Sequence, residues 1–482
     1  MKDEQSGDFE LEKQENPEKI DHPNRRKVLF LLGAGLLFSM YPFSRIPKIL
    51  AEFKSRKIDL GDFSGGYVTK KAVESGADIQ FLYHSHHELD VDLVRLGLQK
   101  EIVKSFTVPA VKQDGSYDPY RGFNWNNPYR ISTKGLKGGY YFLHIQSSGN
   151  ESIVPFIIQS NKNVGMTLVA STNTWDAYNS YVCGNYGGDA YPVYDPPSNK
   201  WLRSIDKRLA WVVNQFGYAS SIPQYRAPLP LPQNRPISWS GEVLRIKDPT
   251  QPMGIHLLGA EWALVHLLEK NMIPYRVITD RAFHNSYEPQ DKEVTIFHAH
   301  SEYWSEGMKN NLEKFYNRGR AFLFLSGNSI YRDVEFYRHG VQVVSQESDR
   351  DRSESLTGSF YDQKGYLSWS DFKIMKREHW VFDGLPANVD SFGKVETNPE
   401  FGGASGFETD KQSDRSNATL LAKGNNPENG GADMVIMENE NGGVMFNAGS
   451  VSFTSCLAHD STMKLVLKNL LTHAGNPVAA LK

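Results

Sequence analysis

Two hydrophobic rhythms divide this chain. From about residue 58 to 160, short apolar runs at 79–83, 91–96, 139–145 and 153–158 alternate with turns. That spacing, with a Lys137-Gly138-Gly139 hairpin signal, predicts an immunoglobulin-like β-sandwich domain over 58–160. Beyond residue 161 the runs become compact and continuous, at 166–170, 275–279, 294–298 and 321–325. Between them lie helical periods over 254–271 and 306–318. Such strands, alternating with amphipathic helices, predict an α/β domain over 161–482 whose sheet is mostly parallel and covered on both faces. A hairpin over 434–447 and a closing helix over 461–473 complete it. A stretch rich in Tyr, Asn, Gly and Pro at about 183–241 is too long for a plain connection and reads as a functional insertion.

The N-terminus follows neither rhythm. Residues 1–21 hold eight acids against three lysines and almost no apolar side chain, so residues 1–24 read as a disordered acidic segment. Arg25-Arg26-Lys27 then runs into the apolar stretch 28–38. A basic cluster before such a run is the layout of an export signal, here of twin-arginine type, over 25–43. No small-residue cleavage site follows, so the segment reads equally as a signal anchor. The expected location is the cell envelope or periplasm, with anchoring to the inner membrane as the alternative.

Composition removes several function classes. The 482 residues carry a formal charge of −3 and no basic stripe, which argues against a nucleic-acid partner. Two cysteines, Cys183 and Cys456, exclude a disulfide-dense scaffold and paired CxxC metal sites. Cys183 does not follow a strand directly, as an exposed nucleophile would. His84, His86 and His87 crowd one turn and are read as solvated.

In open α/β sheets, ligands sit beyond the carboxyl ends of the strands. That rule gathers Trp175, Tyr178 and Asn179 after the first strand, and Asp280 after the second. It adds His300, Glu302, Tyr303 and Trp304 after the third, and Asn328 after the fourth. Glu302 stands out: a carboxylate beside histidines can take protons, hold a cation or cap the helix starting near Ser305. His300 is placed to orient it, and Tyr178 to ligate or donate a proton. Asn328 is either a site residue or a left-handed turn residue. Trp175 and Trp304 read as pocket walls or packing, and His298 as core.

Four stretches then carry a resemblance: Thr174-Trp175-Asp176-Ala177-Tyr178-Asn179, the helix and strand over 261–280, His300-Ser301-Glu302-Tyr303-Trp304-Ser305, and Gly327-Asn328-Ser329-Ile330-Tyr331-Arg332. Together they resemble the catalytic half of the large (beta) subunit of N,N-dimethylformamidase. The resemblance implies a glutamine-amidotransferase-like α/β fold. It also implies a mononuclear iron held by two tyrosines and a glutamate, used to hydrolyse a small amide. By position Glu302 corresponds to the carboxylate ligand and Tyr178 to one tyrosine, with His300 and Asn328 orienting substrate. Where that family has Tyr after an Arg-Pro, this chain has Ile237 after Arg235-Pro236; Tyr218 and Tyr225 are the alternatives. Three readings follow: an exported metal-dependent hydrolase of a C–N amide bond, a non-catalytic envelope protein binding carbohydrate or a protein partner, and a metal-free hydrolase with Glu302 as general base.

Overall fold

The runs of apolar residues with no polar alternation become strands buried on both faces. Met166–Ala170, Val294–Ala299 and Ala321–Ser326 are buried at every position. The computed structural model describes residues 56–147, 150–160, 164–179, 229–237, 241–247, 257–345, 347–365, 368–395, 402–476 and 481. The acidic segment, the signal-like segment, Cys183, Tyr218, Tyr225 and most of the insertion lie outside the described residues. Among the described residues no helix is long and apolar enough to cross a membrane.

The central sheet has nine strands. Arg276–Thr279, Met166–Ala170, Val294–Ala299, Ala321–Ser326 and Val444–Asn447 run parallel to one another in that order. From there every pairing is antiparallel, through Asp433–Glu438, Thr419–Gly424, Phe372–Ile374 and Ser391–Phe392. This corrects the expected fold class. The chain is mostly β, its sheets are mixed and antiparallel, and it is not a mostly parallel α/β body of glutamine-amidotransferase type. The physical reason lies between residues 359 and 447. A tight hairpin between Asp433–Glu438 and Val444–Asn447 forces one antiparallel pairing, and the short strands before it extend the sheet in the same sense.

Helices cover the sheet. Leu257–Lys270 buries Leu258, Trp262, Val265 and Leu268 on one side, joined by Ser461–His473. Glu306–Asn317 covers the other through Met308, Leu312 and Phe315, at i, i+4 and i+7. A small sheet, in the order Leu229–Pro232, Gly340–Ser345, Arg332–Tyr337 and Tyr303–Ser305, lies beside the carboxyl ends of the parallel strands.

The N-terminal part forms three further sheets: a small one of Arg56–Lys57, Ser116–Asp118 and Gly122–Phe123, and two that share a core. One has five strands, in the order Ala72–Glu74, Asn150–Gln159, Gly139–Ser147, Leu89–Leu96 and Lys100–Val108. The other has Gly65–Val68, Asp78–His84 and Tyr129–Ser132. Phe81, Tyr83, Val91, Leu93, Tyr141 and Phe156 fill the space between them. Successive strand residues point to opposite faces, so Val94, Tyr140, Phe142, Ile153 and Ile157 join the core of the central sheet instead. Tyr140 also shares a 2.8 Å hydrogen bond with His298 Nε2, and burial lowers the His298 pKa to about 3, so that imidazole stays neutral. The N-terminal sheets are therefore built into the body by a common core.

Candidate functional site

The third parallel strand ends at Ala299, which adopts the left-handed region with φ 61°. That turn directs the next three residues along a neighbouring loop. Ile330 N–H donates to Ser301 O at 3.1 Å, and Tyr331 and Arg332 N–H both donate to Glu302 O at 3.0 Å. The segments 300–302 and 330–332 are thus laced together, and Tyr303 pairs with Arg332 to start the small sheet. Ser305 caps the following helix, its hydroxyl accepting from Met308 N–H at 3.3 Å. Glu302 is released from the capping role.

Glu302 instead becomes the centre of a buried polar cluster. Its Oε1 accepts from Arg332 Nε at 2.6 Å, and its Oε2 accepts from the Tyr178 hydroxyl at 3.1 Å. Its own N–H donates to Thr174 Oγ1 at 3.3 Å. His300 Nε2 lies 3.5 Å from Glu302 Oε2 and 3.1 Å from Glu408 Oε2. The Tyr178 ring meets the His300 ring edge-on at 5.3 Å. Asn328 Nδ2 donates to Glu408 Oε2 at 2.8 Å, and Asn328 N–H donates to Asp410 Oδ1 at 2.7 Å. Burial raises the Asp410 pKa to about 7, against the opposing pull of the hydrogen bonds it accepts. Asn328 has φ 49°, so the turn and site readings describe one residue: the left-handed backbone aims its amide at Glu408.

Four residues of this cluster carry no role in the sequence pattern: Thr174 and Arg332 sit inside longer motifs, and Glu408 and Asp410 lie in the segment Phe407-Glu408-Thr409-Asp410. Phe407 also has a left-handed backbone, φ 67°, which turns the chain into the site. Gly327 allows the approach. A Cβ there would stand 2.6 Å from Glu408 O and 2.7 Å from Val451 N, too close for any other residue. The Gly-Phe-Glu-Thr-Asp pattern of a glycine turn leading into alternating acids was the available signal.

The remaining candidates take other positions. Trp175 is buried in the main core, its Nε1 donating to Glu261 Oε1 at 3.1 Å. Trp304 packs on Phe297 and Phe324. Tyr303 is buried beside Ala177 and Val334, with the Arg332 guanidinium 5.9 Å from its ring. Asp280 lies under the helix Thr172–Ala177 and accepts from Asn173 N–H at 2.7 Å; burial raises its pKa to about 7. Asn179 is a clamp, donating to Pro236 O at 2.9 Å and accepting from Arg235 Nη1 at 2.6 Å. The structure therefore unites Tyr178, His300, Glu302 and Asn328, and places the other five around them as support. His84, in the three-histidine turn, accepts from Gln113 N–H at 3.0 Å.

The donor set can be tested against the implied iron. Tyr178 and Glu302 supply two hard oxygen donors at one point. The Asn179 clamp seats Arg235-Pro236 against the Tyr178 segment, so the residue following that pair is Ile237, a buried side chain with no donor atom. Glu302 Oε1 is already taken by a guanidinium. Among the described residues no three His, Cys, Asp or Glu are arranged to hold a metal ion. The described residues do not complete the ligand set.

A mixed sheet with polar side chains converging past its parallel strand ends positions one buried polar site, built from loops 174–179, 300–302, 327–332 and 408–410. The chain belongs to the N,N-dimethylformamidase beta subunit-like family, whose C-terminal model matches residues 95–464. The match begins inside the strand Leu89–Leu96, so the family unit takes in much of the five-stranded sheet as well as the body. No curated protein matches the chain.

Proposed function

We propose that this protein hydrolyses a C–N amide bond of a small molecule, using Glu302, His300, Glu408, Asn328 and Tyr178. The observation that carries this reading is the position of His300 Nε2 between two carboxylates, 3.5 Å from Glu302 and 3.1 Å from Glu408. Amide hydrolysis needs a group that takes a proton from water and one that returns a proton to the leaving nitrogen. A carboxylate–imidazole–carboxylate array can hold and pass that proton at Nε2. Arg332 fixes the position of the Glu302 side chain by a charge-assisted hydrogen bond. The Tyr178 hydroxyl, half-buried, offers a donor on the side of Glu302 away from Arg332. Asn328 Oδ1 is buried with no hydrogen-bond partner among the described residues, which suits an acceptor reserved for substrate or water.

Of the ligand set that the family resemblance implies, Tyr178 and Glu302 are the two oxygen donors brought together among the described residues, and the proposed chemistry rests on Glu302 and His300. Release of amine or ammonia from a panel of small aliphatic and aromatic amides tests the reading, with metal content measured on the same preparation. Turnover of at least one amide supports it, and no release from any member contradicts it. About one iron per chain, lost with activity on chelation, would contradict the metal-free form and require a third donor beyond the described residues. The Arg25-Arg26-Lys27 cluster and its apolar run support export to the cell envelope. Fractionation into cytoplasm alone would contradict that.

A further inference from the structure

A second cleft, of about 360 Å³, lies behind the short helix Thr172–Ala177. At 100° per residue, Thr174 and Tyr178 share the face that meets Glu302, whereas Thr172, Asn173 and Asp176 share the face lining this cleft. The two sites are therefore back to back and separate.

The cleft is strongly cationic. Lys70 and Lys71 come from the loop between Gly65–Val68 and Ala72–Glu74, Arg281 from the helix Asp280–Asn285, and Arg338 from the hairpin turn before Gly340–Ser345. Among the described residues Asp176 is the one acid lining it, and it is paired with Lys71 at 3.0 Å. Four cations against one carboxylate leave an excess of three positive charges, supplied by three separate stretches of chain. Arg281 is held ready: Nη2 donates to Tyr337 O at 3.1 Å and to Gly340 O at 2.8 Å, and its plane lies 4.4 Å over Phe336. Its Nε and Nη1 have no hydrogen-bond partner among the described residues. A partly buried guanidinium whose neighbouring carboxylate, Asp176, is paired with Lys71 carries a desolvation cost that a bound anion offsets, and its fork suits oxyanions.

We propose that this cleft binds a doubly charged oxyanion, a phosphate group either free or as the monoester of a small molecule, between Arg281, Lys70 and Arg338. The charge excess favours a dianion over a monocarboxylate. The volume sits at the low end of small-molecule sites, which fits a ligand of monosaccharide size or less. The inference stands independently of the amidase reading.

Titration calorimetry of the full chain at constant ionic strength tests it, with inorganic phosphate and glycerol 3-phosphate as probes. Saturable one-to-one binding of either is expected. Tighter binding of the ester identifies a monoester ligand, and equal or tighter binding of phosphate identifies the free ion. Lys70 and Arg338 are exposed, so the double variant K70E/R338E should keep its melting temperature while binding weakens by about tenfold or more. Arg281→Lys keeps the charge but loses the fork and should also bind more weakly. No saturable binding of either probe, or undiminished binding by the charge-reversed variant, would overturn the proposal.

Discussion

His300 Nε2 stands 3.1 Å from Glu408 Oε2, although His300 follows the central-sheet strand Val294–Ala299 and Glu408 lies between Ser405–Gly406 and Thr409–Gln412, short strands of two separate small sheets. The contact turns an isolated His-Ser-Glu sequence into a proton-passing array. His300→Ala and Glu408→Gln should each lower kcat by roughly 10²–10⁴-fold with a smaller effect on KM. Because the two act as a unit, the double variant should be little worse than either single one. Additive losses in steady-state kinetics would show that they act separately.

The partly buried Arg332 pairs with the buried Glu302 at 2.6 Å. Removing one partner leaves a charge without its counterion, which costs about 3 kcal/mol or more. Arg332→Leu should therefore lower stability by about that amount in urea unfolding, and Arg332→Lys by less. A Leu variant as stable as the parent would show that the ion pair adds nothing to stability.

Ser305, not Glu302, caps the helix Glu306–Asn317. Ser305→Ala should cost about 1 kcal/mol of unfolding free energy, while Ser305→Asp, which restores an acceptor, should recover it. His284 Nδ1 also lies 2.8 Å from Ser305 Oγ, so the Ala variant should unpin that ring as well. Equal stability of the Ala variant and the parent would remove the cap from the account.

Three buried carboxyls set a pH dependence. Burial raises the pKa of Glu261 from 4.5 to about 8, and those of Asp280 and Asp410 from 3.8 to about 7. Between those limits the folded state keeps protons that the unfolded chain releases. Unfolding free energy should then be fullest below about pH 4 as far as these groups are concerned, and fall as pH rises toward 7–8. Glu261→Gln, which retains an acceptor for Ser171 N–H and Trp175 Nε1, should flatten the upper part of that slope. Urea midpoints measured from pH 5 to 8 read the effect, and a rise in stability over that range would contradict it.

What was legible in the sequence divides along burial. Met166–Ala170 and Val294–Ala299 announce themselves because both faces are covered and every residue is apolar or nearly so. The closing helix Ser461–His473 shows the same directness. Lys100–Val108 is an edge strand with mostly exposed residues, and its polar run hides it. Thr419–Gly424 and Phe372–Ile374 are short and mixed in character, and overlooking them made the sheet look parallel. The site divides similarly. Tyr178, His300, Glu302 and Asn328 follow strands and could be placed by topology. Glu408 reaches the cluster through the left-handed turn at Phe407 and the close packing at Gly327, neither of which has a periodic signature. Asp280 and Asn179 follow strands or helices too, but they are engaged in structural hydrogen bonds, Asp280 accepting from Asn173 N–H and the Thr172 hydroxyl and Asn179 donating to Pro236 O.

The central claim is that the Glu302 carboxylate performs the chemistry. Its most direct test is the rate of amine release from the best amide substrate by the parent and by Glu302→Gln, with the melting temperatures of both recorded. The expected result is a folded variant whose kcat falls by roughly 10²-fold or more. A folded Glu302→Gln protein with undiminished turnover would contradict it.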